Sequence, residues 1–195
     1  MAIPETVLLS FLIPMRGHSI LIKTLQIIAL NRAFTANLVN LQRKYHYPMP
    51  NIKDFMVGDH RHCDDLFTDA EQAVAAKAWD RASAAFASFQ DAMQRHFDAE
   101  ESLLFPAFEV KIGMAMGPTE AMRVEHVQMR ELMTAAKEAL LAKDADDYSG
   151  NTETLLIMMQ QHNMKEENIL YPMCDQHLVD QMETLLLQLR QKLQD

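Results

Sequence analysis

The 195-residue chain carries 18 Lys and Arg against 27 Asp and Glu, a net charge of −9, so most of its surface repels a nucleic-acid backbone. Hydrophobic residues make up 49% of it, with only 5 Gly and 7 Pro, which excludes collagen-like, disordered and strand-rich classes and points to an all-α protein. The only cysteines, Cys63 and Cys174, form neither a CxxC pair nor a disulfide framework, so two buried thiols in a reducing, cytoplasmic setting are expected.

Charge divides the chain. Residues 1–50 hold five basic side chains (Arg16, Lys23, Arg32, Arg43, Lys44) and one acid (Glu5), a net +4, which leaves −13 for residues 51–195. The boundary falls at Tyr47-Pro48-Met49-Pro50, where two prolines interrupt any helix. The apolar runs 7–15 and 20–41 are broken by Pro14, Arg16, Gly17, Lys23, Asn31 and Arg32, so neither reaches the ~18 apolar residues of a spanning helix. Integral membrane insertion and a secretory signal are therefore not expected. Residues 1–50 read as an apolar extension, suited to a membrane surface or a partner. Residues 51–195 read as one domain.

Within that domain the pattern predicts helices over 53–76, from Asp80 to Pro106, and over 119–143 with Thr119 as cap. Residues 144–151 read as a polar turn, followed by a helix over 152–171 that Pro172 closes. Leu178, Met182, Leu185, Leu189 and Leu193 then recur at helical spacing, predicting an extra C-terminal helix. Its stripe can pack on its own bundle or form a homodimer seam.

The most informative feature is an internal repeat at an offset of 66 residues. MQRHFDAEESLLFP (93–106) lies over MQQHNMKEENILYP (159–172), with seven of fourteen positions identical. The same offset superimposes Asp59-His60 on Glu125-His126. Each half is thus a helical hairpin with one His on its first helix and His-x-x-x-Glu on its second. Residues i and i+4 share a helix face, so His96 with Glu100, and His162 with Glu166, aim an imidazole and a carboxylate into the same space. Met93 and Met159, three residues before each His, supply apolar walls. Two antiparallel hairpins about a pseudo-twofold axis then gather His60, His96, Glu100, His126, His162 and Glu166 inside the bundle. Without a metal, those positions bury several costly polar groups. Imidazole and carboxylate without thiolate suit iron, manganese or zinc, and bridging carboxylates suit a pair of ions. His18, His46, His62 and His177 have no repeat partner and are left out of the site.

These four motifs, His, HxxxE, His, HxxxE in that order between about Asp54 and Asp175, resemble the hemerythrin-like family with its HHE cation-binding domain. The resemblance implies an antiparallel four-helix bundle holding a non-haem di-iron centre: two iron ions per chain, oxo- or hydroxo-bridged, meeting O2, nitric oxide or another small diatomic ligand. By the repeat symmetry one iron takes His60 and His96 and the other His126 and His162, with Glu100 and Glu166 bridging. Each metal then has five ligands, which leaves a sixth position on both. Oxygen-carrying members are expected to have a further His where this chain has Arg130, and an arginine stays protonated. The four-His, two-Glu set is more similar to that of the iron-centre repair proteins, although their cysteine-bearing N-terminal module has no counterpart in residues 1–50.

Three functions follow from the resemblance: a binding protein for O2 or nitric oxide in sensing, storage or detoxification; an iron-centre repair or iron-donor protein; and a di-iron enzyme acting on nitric oxide or peroxide. The enzyme reading has no separate acid, base or substrate constellation behind it. Asp64 and Arg130, repeat equivalents four residues after a histidine, are expected to pair near the site or to place Asp64 as an extra ligand. Residues 1–50 are expected to be dispensable, because ~120 residues already bury a core of their own. A chain started at Met49 should therefore match the full chain in iron content and thermal stability; insolubility or loss of iron would contradict this.

Overall fold

The computed structural model describes residues 51–114 and 117–194, and the expectations for residues 1–50 lie outside the described residues. The described residues are helical and contain no strand. Asn51 opens α1 (Ile52–Ala75): its side chain accepts from the Asp54 amide at 2.6 Å, while the Asp175 carboxylate accepts from the Ile52 amide at 2.7 Å. After a short turn comes α2 (Trp79–Ala99), which passes through one π-helical turn (Glu100–Leu104) into α3 (Phe105–Ile112). The second half follows the same plan, with α4 (Pro118–Ala142), α5 (Ala145–Lys165), a π-helical turn (Glu166–Leu170) and α6 (Tyr171–His177). The chain ends in α7 (Met182–Gln194).

The repeat extends to the hairpin turns. Lys77 and Lys143, 66 residues apart, are left-handed with φ of 54° and 57°. Behind each, an amide bonds five residues back, Ala78 to the Ala73 carbonyl and Asp144 to that of Ala139, both at 3.0 Å. α1 packs along α2 and α4 along α5, and the hairpins meet through α2 with α4 and α1 with α5.

Two apolar layers fill the interior. One holds Phe67, Phe86, Phe89, Phe97, Met129, Met133, Tyr148 and Leu155 toward the hairpin turns. The other holds Ile52, Met56, Leu104, Phe105, Phe108, Tyr171, Leu178, Leu185, Leu186 and Leu189 at the opposite end. The C-terminal stripe is therefore covered by its own bundle, since α7 contacts α1 and α2 and buries Leu185, Leu186 and Leu189. None of the described helices is long and apolar enough to cross a membrane.

Five expected boundaries move, the first being the start of the C-terminal helix, which lies at Met182 and leaves Leu178 at the end of α6. Pro106 and Pro172 do not end their helices, because each follows a π-helical turn in which the amide of Phe105 or Tyr171 reaches back five residues to the carbonyl of Glu100 or Glu166. A proline in a regular helix clashes with the carbonyl four residues back; the wider turn moves the carbonyls and places each proline in a first turn, where no amide is needed. Ser102 and Asn168, another repeat pair, donate from their side chains to the carbonyls of Asp98 and Met164 beside these turns. The segment 144–151 is helical, since Asp144 caps α5 by accepting from the amides of Asp146 and Asp147 at 3.1 and 3.0 Å, and Tyr148 and Thr152 are buried. Thr119 does not cap α4; Gly117 stands there, Pro118 opens the helix, and the Thr119 hydroxyl donates to Glu109 at 2.6 Å.

Candidate metal centre

A polar layer lies between the two apolar ones. On α1 the buried sequence runs Met56, His60, Cys63; on α4 it runs Met122, His126, Met129. α2 carries Met93 and His96 and presents Glu100 at the start of its π-helical turn; α5 carries Met159 and His162 and presents Glu166 likewise. The six polar side chains are between 0% and 4% exposed. The π-helical turns explain why the helices continue past the site: each widens the backbone where a carboxylate enters the interior.

The imidazoles form two pairs. The rings of His60 and His96 are 4.8 Å apart between centroids, as are those of His126 and His162. Each carboxylate spans both pairs. Glu100 Oε2 lies 3.4 Å from His96 Nε2 and 3.2 Å from His126 Nε2; Glu166 lies 3.3 Å from His60 Nε2 and 3.1 Å from His162 Nε2. Two groups of atoms come close enough to hold a cation, one from Glu100, His126, His162 and Glu166 and the other from His60, His96 and Glu166.

Every outward-facing ring nitrogen meets an acid. His60 Nδ1 lies 2.8 Å from Glu167, His96 Nδ1 2.8 Å from Asp59, His126 Nδ1 2.8 Å from Glu101 and His162 Nδ1 2.9 Å from Glu125. The four bonds form two repeat pairs: Asp59 and Glu125 each hold the histidine of the neighbouring helix in their own hairpin, whereas Glu101 and Glu167 each hold the first histidine of the other. Such acids fix the tautomer with hydrogen on Nδ1 and leave Nε2 as the inward donor atom, as metal-binding imidazoles require.

The inward atoms fit a cation and little else. His96 Nε2, Glu100 Oε2 and Glu166 Oε1 are buried without a hydrogen-bond partner. His126 Nε2 and His162 Nε2 face each other at 3.1 Å, where two lone pairs repel unless positive charge sits between them. Protons supply that charge in the absence of metal. Burial opposes protonation of His60, but Glu166, Glu167 and Glu100 outweigh it and push its pKa up to about 9. His126 behaves alike: burial opposes, Glu100 and Glu101 prevail, and its pKa also rises to about 9. Burial favours the neutral form of Glu166, yet His162 and His60 hold its carboxyl well below the ordinary range.

A cation entering this centre must displace those protons. In the metal-free fold the protonated imidazoles stabilise fully below their ordinary value of 6.5, and that contribution is lost as pH rises through about 9. Cation uptake at neutral pH should therefore release protons, and affinity should rise with pH until it levels off near that value. Calorimetry of anaerobic ferrous loading in buffers of different ionisation enthalpy checks this; uptake without proton release would contradict it.

Residues 51–174 match the family model for the hemerythrin HHE cation binding domain. The chain belongs to the hemerythrin family. No curated protein and no solved structure matches it. His62 and His177 are exposed, away from the centre of the hemerythrin domain, whereas His18 and His46 lie outside the described residues. Cys63 and Cys174 are free and buried, and burial pushes both thiols up, as inert interior thiols require.

The expected pairing of Asp64 with Arg130 does not form. Arg130 donates to Glu101 at 2.9 Å and Gln94 at 3.1 Å and lies 4.9 Å over the Phe97 ring, closing the face between α2 and α4. Asp64 is exposed on the other face, in a crevice of about 630 Å³ shared with Thr68, Gln160, Asn163 and Glu167. Equivalent positions of a twofold repeat occupy equivalent faces on opposite sides of the bundle, so the two charges cannot meet. Asp59 and Glu125, and likewise Glu101 and Glu167, recur at the repeat offset, the one signal in the sequence that marks them as partners of the histidines.

Proposed function

We propose that this hemerythrin domain is an antiparallel four-helix bundle in which His60, His96, Glu100, His126, His162 and Glu166 hold two irons that bind O2 or another small diatomic molecule. The observation that carries the reading is the position of the two buried carboxylates, each touching an imidazole of both histidine pairs. Carboxylates placed so suit a pair of ions better than a single one. An iron pair, when bound, supplies vacant coordination positions and electrons for a diatomic ligand.

The chain's own residues would do the rest. Asp59, Glu101, Glu125 and Glu167 orient the imidazoles, and Met93, Met159, Phe97 and Phe105 exclude water from them. Arg130 shuts one face, and the crevice beside Glu167 gives a small molecule its approach on the other. That opening also favours a second reading, iron donation, because Asp64, Glu71 and Glu167 line it with carboxylates along which a ferrous ion can leave.

Absorption spectra of the iron-loaded protein, taken anaerobically, in air, after oxygen removal and with nitric oxide, separate these readings. A reversible spectral change supports diatomic binding. Irreversible bleaching with iron loss supports donation, and a spectrum indifferent to every gas contradicts the leading reading.

A further inference from the structure

The repeat accounts for six buried polar groups at the centre and leaves a seventh. Tyr171 is fully buried, and its equivalent in the first hairpin is Phe105. The phenol oxygen lies 2.8 Å from Glu100 Oε1, 2.9 Å from Glu166 Oε2 and 3.1 Å from His60 Nε2. A phenol donates a single proton, yet this one faces two carboxylate oxygens at once, so at most one of them receives it. Buried acceptors left without a donor are costly. A cation among these atoms removes the conflict, because the phenol oxygen then joins them as a donor to it. Phenolate is an oxygen donor already known to hold ferric iron at protein centres, and the three polar atoms this one meets all belong to residues of the candidate centre.

We propose that Tyr171 is a seventh protein ligand, binding as phenolate to the ferric ion on the His60 and His96 side of the centre. The proposal rests on the six-residue centre argued above. On coordination the phenol O–H bond breaks, an oxygen–iron bond forms, the proton passes to solvent and the iron keeps its oxidation state. Phe105 offers no oxygen to the other ion. The two metal positions therefore differ in charge and donor set, although the histidines and glutamates around them are related by the repeat.

The test uses the full chain, loaded with iron and oxidised, with iron per chain measured beside visible absorption and resonance Raman spectra. The expected result is a phenolate-to-ferric charge-transfer band whose excitation enhances tyrosine ring vibrations, and these shift when the protein is grown on ring-deuterated tyrosine. Tyr171→Phe should abolish the band while keeping two irons. Tyr148→Phe, which alters a buried tyrosine packed on Phe86 at 5.7 Å, should leave it intact. Two ferric ions in the unaltered chain with no such band, or a band that survives in Tyr171→Phe, overturns the seventh ligand and leaves the six-residue centre standing. A chain that binds no iron overturns both. Even where Tyr171→Phe fails to fold, absence of the band in the labelled, unaltered protein overturns the proposal.

Discussion

Glu166→Ala should lower bound iron from two ions to at most one per chain and abolish the spectrum of the paired centre. The carboxylate lies 3.3 Å from His60 Nε2 and 3.1 Å from His162 Nε2, so its removal takes a donor from both metal positions together. Replacing an acid that only orients a ligand costs roughly 10–100-fold in metal affinity, and loss of a donor shared by two ions should exceed that. Stability should follow occupancy: ligand at a hundred times its dissociation constant stabilises a fold by about 2.7 kcal/mol, a gain the variant forfeits. Glu166→Gln keeps the side-chain shape and separates lost charge from lost packing. Two irons with an unchanged spectrum in Glu166→Ala would remove the bridging role.

Phe97→Ala should destabilise the metal-free fold by about 3–5 kcal/mol, the usual range for emptying a buried aromatic site. The ring is fully buried, stacks on His126 with centroids 4.1 Å apart and planes inclined by 24°, and carries Arg130 on it at 4.9 Å. Its loss removes packing and also the wall that holds the His126 ring. The equivalent residue, Asn163, lines the open crevice, so the substitution makes the closed face resemble the open one. Urea unfolding with an unchanged m-value and a lowered midpoint reports the effect, and a change under about 1 kcal/mol would contradict the packing argument.

Much of the candidate site was visible in the sequence because its histidines and glutamates recur at a fixed offset and a helix places i and i+4 on one face. His96 with Glu100 and His162 with Glu166 needed no tertiary information to be read as pairs. The acids on the outward nitrogens were harder: Glu101 bonds His126 and Glu167 bonds His60 across the hairpins, a crossing that depends on how the two halves dock. Asp64 and Arg130 failed as a pair for the same reason.

The boundaries that moved share a local cause. Proline ends a regular helix by clash and by loss of a donor, but at Pro106 and Pro172 a π-helical turn has already displaced the carbonyls. Its signature, a proline six residues after the inward glutamate in both halves, stands in the sequence as E-x5-P. Nothing in hydrophobic periodicity reveals it. At residues 144–151, polar composition suggested a turn, while the Asp144 cap and the burial of Tyr148 decided for helix. In the sequence Tyr171, aligned with a phenylalanine, reads as core, and only its three polar contacts set it apart.

The stoichiometry of ferrous binding to the metal-free, full-length chain under anaerobic conditions tests the central claim most directly. Titration followed by optical change and by metal analysis after desalting should reach a sharp endpoint at two irons per chain. Substitution of any of His60, His96, Glu100, His126, His162 or Glu166 should lower that endpoint. An endpoint at one iron, or uptake that never saturates and is indifferent to those substitutions, would contradict a dinuclear centre built from these six residues.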